Sequence, residues 1–181
     1  IRYLRANQRA FCVDTERIGV LGDSAGGHLA LMTGVASVFD GTGGHSQYAS
    51  APQAICAMYA PSRIPLHSPA SEGLIGPEAS ASDCEGASPI NYELTNFPPC
   101  LLIHGADDDA VMPEESTNFY EKLRRNDRTA ELHLFAGQGH AFDRQSSSQV
   151  GMVDIADSSA VYGVVTLEII RLFFQKQLCN V

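Results

Sequence analysis

Cationic excess is missing from this 181-residue sequence: 12 lysines and arginines face 21 aspartates and glutamates, for a formal net charge of −9 at pH 7. A surface of that sign repels phosphate backbones and anionic lipid, so no nucleic-acid partner is expected. Also missing is any apolar run approaching the ~18 residues of a membrane span. No CxxC pair occurs among Cys12, Cys56, Cys84, Cys100 and Cys179, which leaves zinc and dithiol redox motifs unsupported. The odd count argues against a pure disulfide framework. Cys56 and Cys100 lie in apolar runs and read as core residues, whereas Cys84, in a polar stretch, could pair or stay free. The chain opens with "IRYLRANQRAF" rather than methionine, which reads as the middle of a helix, so the lack of a targeting signal carries no weight.

What is present is ordinary globular material, 44% hydrophobic and 18% charged, of a length that suggests one domain with a real core. Arg2 to Phe11 is helix-like, with Leu4 and Phe11 as its apolar contacts. "RIGVLG" at 17–22, "QAICAMYA" at 53–60 and "CLLIHG" at 100–105 are short continuous apolar runs, the pattern of fully buried strands. "AELHLFA" at 130–136 alternates and makes a fourth strand. Between them, Ser24 to Val38 reads as a buried helix, with a loop at 40–50 after it. Pro113 opens another helix, with Glu114 and Glu115 at its positive end and Glu121 and Arg125 one turn apart. The last helix runs from about Ser159 to Leu178, with Val161, Val165, Leu172 and Phe173 facing inward. Alternating strand and helix predicts an α/β fold: a mostly parallel sheet with helices on both faces. From Pro61 to Asn96 the composition turns to Pro, Ser, Gly and Ala. We read residues 61–96 as a lid-like excursion over a single domain spanning 1–181, since loops of that length in compact domains serve as lids or binding segments.

The chemistry concentrates in three places. Gly22-Asp23-Ser24-Ala25-Gly26 fits G-x-S-x-G at a strand-to-helix turn, where glycines two residues either side relieve collisions in a sharp bend. The turn lifts the Ser24 hydroxyl clear of the backbone and directs the Ala25 N–H toward an oxyanion formed on that serine. The alternative role for Ser24 is a plain helix N-cap. A serine nucleophile needs a base. Of six histidines, His28 is on the helix behind the turn, His45 and His67 are in loops, His104 ends a strand and His133 lies mid-strand. His140, in the glycine-bracketed "FAGQGHAF", follows the last strand and can reach over its C-terminal edge. The orienting acid comes from Asp107, Asp108 and Asp109 after the third strand; three adjacent carboxylates repel, so at least two face water and one turns inward. The resulting order is Ser, Asp, His.

"RIGVLGDSAGGHLA", "PPCLLIHGADDDAVMPEES" and "LFAGQGHAF" together resemble the α/β-hydrolase esterases. The likeness is to the carboxylesterase group with bifunctional feruloyl/acetylxylan esterases and related lipase-like enzymes. The resemblance places the acid four residues beyond the histidine of the His-Gly pair, which is Asp108, although Pro113 falls one residue late and leaves Asp109 in play. It implies Ser24 as nucleophile, His140 as base and cofactor-free hydrolysis of small acyl esters, with acetyl or feruloyl esters of carbohydrate as the expected substrates. It also implies strands and a His-Gly-Gly-type oxyanion loop upstream of the serine, so the chain reads as the C-terminal portion of a longer enzyme whose first strand would present an open edge. Two other functions are compatible: a prolyl-oligopeptidase-like serine peptidase, and a non-catalytic hydrolase-like binding module if the 181 residues are the mature product.

Overall fold

Four apolar runs pair side by side into one parallel sheet. The computed structural model describes residues 1–36, 43–144 and 158–179. Two short helices, α1 (Arg2–Ala6) and α2 (Gln8–Phe11), precede strand β1 (Gly19–Asp23) and helix α3 (Ala25–Val35). Strand β2 (Ala54–Met58) follows, then the short helices α4 (Pro69–Leu74) and α5 (Ala81–Gly86) and a 3-10 turn at Pro89–Asn91. Strand β3 (Cys100–Gly105), helix α6 (Glu114–Arg125), strand β4 (Ala130–Phe135), a 3-10 turn at Phe142–Arg144 and helix α7 (Ser158–Leu178) complete the order. The strands lie β1-β2-β3-β4, all parallel, with Leu21 opposite Cys56, Ala57 opposite Leu102, and Ile103 opposite His133.

The two-residue period of the strands sorts their side chains between two cores. Ile55, Ala57 and Leu102 face a layer built from Leu31 and Val35 of α3 and Phe119 and Leu123 of α6. Cys56, Met58, Leu101 and Ile103 face Ile170 and Phe173 of α7. Helices therefore cover both faces, as the alternating pattern predicts, and each fully buried Phe or Leu contributes about 1.5–3 kcal/mol. No helix among the described residues is long and apolar enough to cross a membrane.

Several local expectations need correction. β2 and β3 are wholly buried, but β1 is only half-buried and Leu21 is 52% exposed; among the described residues β1 pairs with β2 alone, so one edge and part of its surface stay open. On α7, Phe173 faces inward, whereas Val165 and Leu172 are exposed and Thr166 and Ile170 take the inward positions. The N-terminal helix breaks at Asn7, and its buried residue is Arg5. The Arg5 guanidinium donates to the carbonyls of Ala49 and Ala51 and to the Gln53 side chain, stitching α1 to the entry of β2. Cys84 is a buried free thiol on α5. The loop at 40–50 lies partly outside the described residues.

Residues 61–96 carry more structure than their composition suggests. Ser68 and Ser80 cap α4 and α5 in reciprocal capping boxes, and Ile64 and Leu94 are buried. Glu115 of α6 accepts from the backbone of Ser62 and Arg63 and from the Ser62 hydroxyl. Lys122 donates to the carbonyls of Ile90 and Tyr92. Polar bonds to α6, rather than a periodic apolar stripe, tie the segment down, which is why its order is invisible to hydrophobic patterning.

Candidate active site

At the C-terminal end of β1 the chain turns through Ser24 with φ 51° and ψ −120°, a backbone region that is strained for any residue with a Cβ. The Ser24 N–H donates to Met58 O at 2.8 Å and its carbonyl accepts from His28 N–H at 3.0 Å, so the strain is held by β2 on one side and the first turn of α3 on the other. The Ser24 side chain makes no capping bond to α3, which disfavours the N-cap role. The flanking glycines are not equivalent. A Cβ on Gly22 would meet the Gly26 carbonyl oxygen at 2.1 Å, whereas one on Gly26 would meet nothing within 4 Å. The expectation that both relieve a collision is therefore half wrong: the Gly22 side of the bend faces the Gly26 backbone, and the open face of Gly26 points away. Gly27 is the second tight position, 2.7 Å from the Ala60 methyl.

The other two loops meet at the same sheet edge. Of the three adjacent aspartates, Asp107 and Asp109 are exposed and Asp108 is buried. Asp108 Oδ1 accepts the N–H groups of Ala110 and Val111, each at 2.9 Å, and Oδ2 accepts from His140 Nδ1 at 2.7 Å. Burial pushes the Asp108 carboxyl up, but the Val111, His140 and Ala110 donors together outweigh it and hold it below the usual carboxylate range. His140 Nε2 stands 3.0 Å from Ser24 Oγ. An imidazole whose Nδ1–H is held by a carboxylate presents a lone pair at Nε2, and with the serine proton within hydrogen-bond reach this arrangement can move that proton.

What brings these loops together was not apparent from motif spacing. A Cβ on Gly105 would lie 2.3 Å from Gln138 O and 2.6 Å from Gly139 O, so the bare glycine at the end of β3 lets the histidine loop lie against it. Asp107 N–H donates to Gln138 O at 2.9 Å and Ala106 N–H to Phe135 O at 2.9 Å, lacing the acid and base loops. His104 is fully buried beneath the acid: its Nε2 is 2.9 Å from Val111 O and 3.2 Å from Asp108 Oδ2, and its Nδ1 is 2.7 Å from Ser116 Oγ. These partners are satisfied by a neutral ring with the proton on Nε2 and the Ser116 hydroxyl donating to Nδ1. Burial, only partly offset by Val111 and Asp108, pushes the His104 imidazole down in the same sense.

Tyr59, at φ 37° and fully buried, sets its ring edge-on to the His140 imidazole with centroids 4.8 Å apart. Its hydroxyl donates to Asp143 Oδ1 at 2.8 Å and lies 3.4 Å from Asp23 Oδ2, and Arg144 pairs with Asp23. Burial and the Asp143 carboxylate both push the phenol up, so it stays protonated. Asp23 is the neighbour of Ser24, and Asp143 and Arg144 follow His140; the cluster ties the serine turn to the histidine loop. The remaining histidines stand apart: His28 is buried with Nε2 2.7 Å from Ala87 O, His45 stacks edge-on to Tyr3, and His67 and His133 lie outside the cluster. No group of three potential metal ligands occurs among the described residues.

Residues 1–123 match the BD-FAE family model, and residues 85–167 match that of the dienelactone hydrolase family. The chain belongs to the BD-FAE family. Ser24 and Asp108 fall in the BD-FAE stretch, and Asp108 and His140 in the overlapping dienelactone hydrolase match. Esterase LipC of Mycobacterium tuberculosis is 29% identical over 171 residues, 83% of this chain and 41% of that protein. The acetyl ester-xyloside bifunctional hydrolase of Caldicellulosiruptor lactoaceticus is 25% identical with a TM-score of 0.73, over 93% of this chain and 62% of that one. A thermophilic esterase from Thermogutta terrifontis has the same fold at a TM-score of 0.76 and 22% identity, over 97% of this chain and 60% of that one. This BD-FAE chain thus spans about two fifths of its curated relative and about three fifths of these solved structures, and its fold is that of the α/β-hydrolases.

Proposed function

We propose that the protein hydrolyses carboxylic esters of small acyl groups, with Ser24 as nucleophile, His140 as general base and acid, and Asp108 as the carboxylate that orients the imidazole. The observation that supports this most is the continuous path from Ser24 Oγ through both nitrogens of His140 to Asp108 Oδ2, at 3.0 Å and 2.7 Å. As Ser24 Oγ bonds to the ester carbonyl carbon, its proton passes to His140 Nε2. The Ala25 N–H at the start of α3 donates to the oxygen that becomes negative. The carbon–oxygen bond to the alcohol then breaks, and the same proton goes to the leaving oxygen, which yields acyl-Ser24. Water, losing a proton to His140, attacks that acyl carbon; the Ser24 oxygen departs with the proton and the acid is released. Residues 61–96 wall the substrate cleft. Carbohydrate carrying acetyl or feruloyl esters is the natural substrate class suggested by the Caldicellulosiruptor hydrolase and by the motif resemblance.

A fluorophosphonate probe followed by mapping of the adduct tests the assignment. Labelling of Ser24, lost in Ser24→Ala together with turnover of p-nitrophenyl acetate, is the expected result; an adduct on another serine in active protein overturns it. A chromogenic dipeptide cleaved faster than the ester would place the protein with the peptidases instead.

A further inference from the structure

A second imidazole lies beneath the proposed reaction, and no proton transfer in it uses that ring. His104, the penultimate residue of β3, is fully buried. Its Nδ1 lies 2.7 Å from Ser116 Oγ on α6. Its Nε2–H donates to Val111 O at 2.9 Å and passes 3.2 Å from Asp108 Oδ2. Val111 is therefore gripped twice: His104 holds its carbonyl, and Asp108 Oδ1 accepts its N–H at 2.9 Å. The turn that cups one carboxylate oxygen is fixed by the same ring whose N–H edge rests against the other. That other oxygen, Oδ2, is the one that accepts His140 Nδ1 at 2.7 Å. Ser116 sets the tautomer from behind: with its hydroxyl directed at Nδ1, the ring proton stays on Nε2, facing Val111 and Asp108. An apolar side chain here would take away the buried partner of Val111 O and of Ser116 Oγ, and would free the turn that aims the carboxylate.

We infer that His104 is a positioning residue: a neutral ring locked by Ser116, it fixes the Val111 turn and with it the direction in which Asp108 presents Oδ2 to His140. The inference rests on the ester-hydrolase reading above, since it concerns the aim of the imidazole that serves Ser24. His104 touches neither substrate nor the reacting atoms. The role calls for an uncharged ring, and the surroundings supply one. Burial, and to a lesser degree His140, lowers its affinity for a second proton, against a partial offset from Val111 and Asp108.

Two amides separate the tasks of the two ring nitrogens. A glutamine amide reaches about as far from Cβ as Nε2 does, whereas an asparagine amide ends at the distance of Nδ1. His104→Gln therefore keeps a donor for Val111 O and Asp108, and His104→Asn keeps only the contact with Ser116. With p-nitrophenyl acetate, His104→Asn should lower kcat about tenfold or more while KM stays within about twofold. Fluorophosphonate labelling of Ser24 should slow by a similar factor. His104→Gln should recover most of that loss, and Ser116→Ala, which releases the tautomer, should fall between the two. Equal kcat in the two amide variants, or a loss confined to KM, overturns the inference. The wild type offers a check that needs no variant kinetics. Its nitrogen–proton correlation spectrum should contain an imidazole protonated at Nε2 and bare at Nδ1, absent from the His104→Gln spectrum. That ring should stay neutral as pH falls through 6.5, the ordinary imidazole value. A His104 ring with its proton on Nδ1, or one that charges near that pH, overturns the inference while the hydrolase reading stands. Absence of ester turnover together with absence of a Ser24 adduct in the wild type overturns the hydrolase reading itself, and the inference with it.

Discussion

Gly105→Ala should disable the proposed chemistry from 35 residues away in sequence. The added methyl carbon would lie 2.3 Å from Gln138 O and 2.6 Å from Gly139 O, and ordinary contact begins at 3.4 Å. The histidine loop must therefore retreat by about 1 Å, since β3 is fixed between β2 and β4 by parallel pairing on both sides. His140 follows Gly139 directly. A shift of that size opens the Ser24–His140 separation from 3.0 Å to about 4 Å, beyond any hydrogen bond. Misplacement of a catalytic group by about 1 Å costs on the order of 10²-fold in rate. Overpacking of this kind also costs about 1–3 kcal/mol of stability. The assay is kcat/KM for an ester, alongside the rate of fluorophosphonate labelling and a urea unfolding curve. Gly139→Ala is the control within the same loop, because its nearest contact, Asp107 O at 3.8 Å, is ordinary; it should stay within a few fold of wild type. A folded Gly105→Ala protein that turns over ester at the wild-type rate would refute the claim that close packing of these two loops sets the position of His140.

Three further outcomes follow from the same geometry. Gly22→Ala, 2.1 Å from the Gly26 carbonyl oxygen, should fold poorly or lose Ser24 labelling, while Gly26→Ala, with open space around its Cβ, should do neither. Tyr59→Phe removes the donor to Asp143 but keeps the ring against His140. Urea unfolding should show a loss of about 1.5–3 kcal/mol, and Tyr59→Ala should lose more activity than Tyr59→Phe. Asp108 has a native pKa depressed below its ordinary value of 3.8; the stability it confers is complete above that value and is lost as pH falls through the depressed one. Unfolding measured across that acid range should therefore be less pH-dependent in Asp108→Asn than in wild type.

The sequence by itself determined the parts whose physics is local. Continuous apolar runs gave β2 and β3, and their alternation with helical stretches gave a parallel sheet covered on both faces. The serine turn was legible because a strand, two glycines and a small-residue helix are adjacent in the chain. Patterning erred where burial depends on a neighbour: β1 reads as apolar as β2, yet it lies at the edge and keeps Leu21 exposed, and α7 turns Val165 and Leu172 outward because its inward face is set by packing against β2 and β3.

Only the tertiary structure decided which residues surround the serine. Asp107, Asp108 and Asp109 are chemically identical, and the turn held by the N–H groups of Ala110 and Val111 buries just the middle one. Tyr59, His104 and Gly105 carry no motif of their own. They act on His140 and Asp108 through contacts between the ends of β2, β3 and β4, which parallel crossover connections bring to one edge from dozens of residues apart. Spacing along a chain records local bends; it does not record which side chains meet when distant strands align.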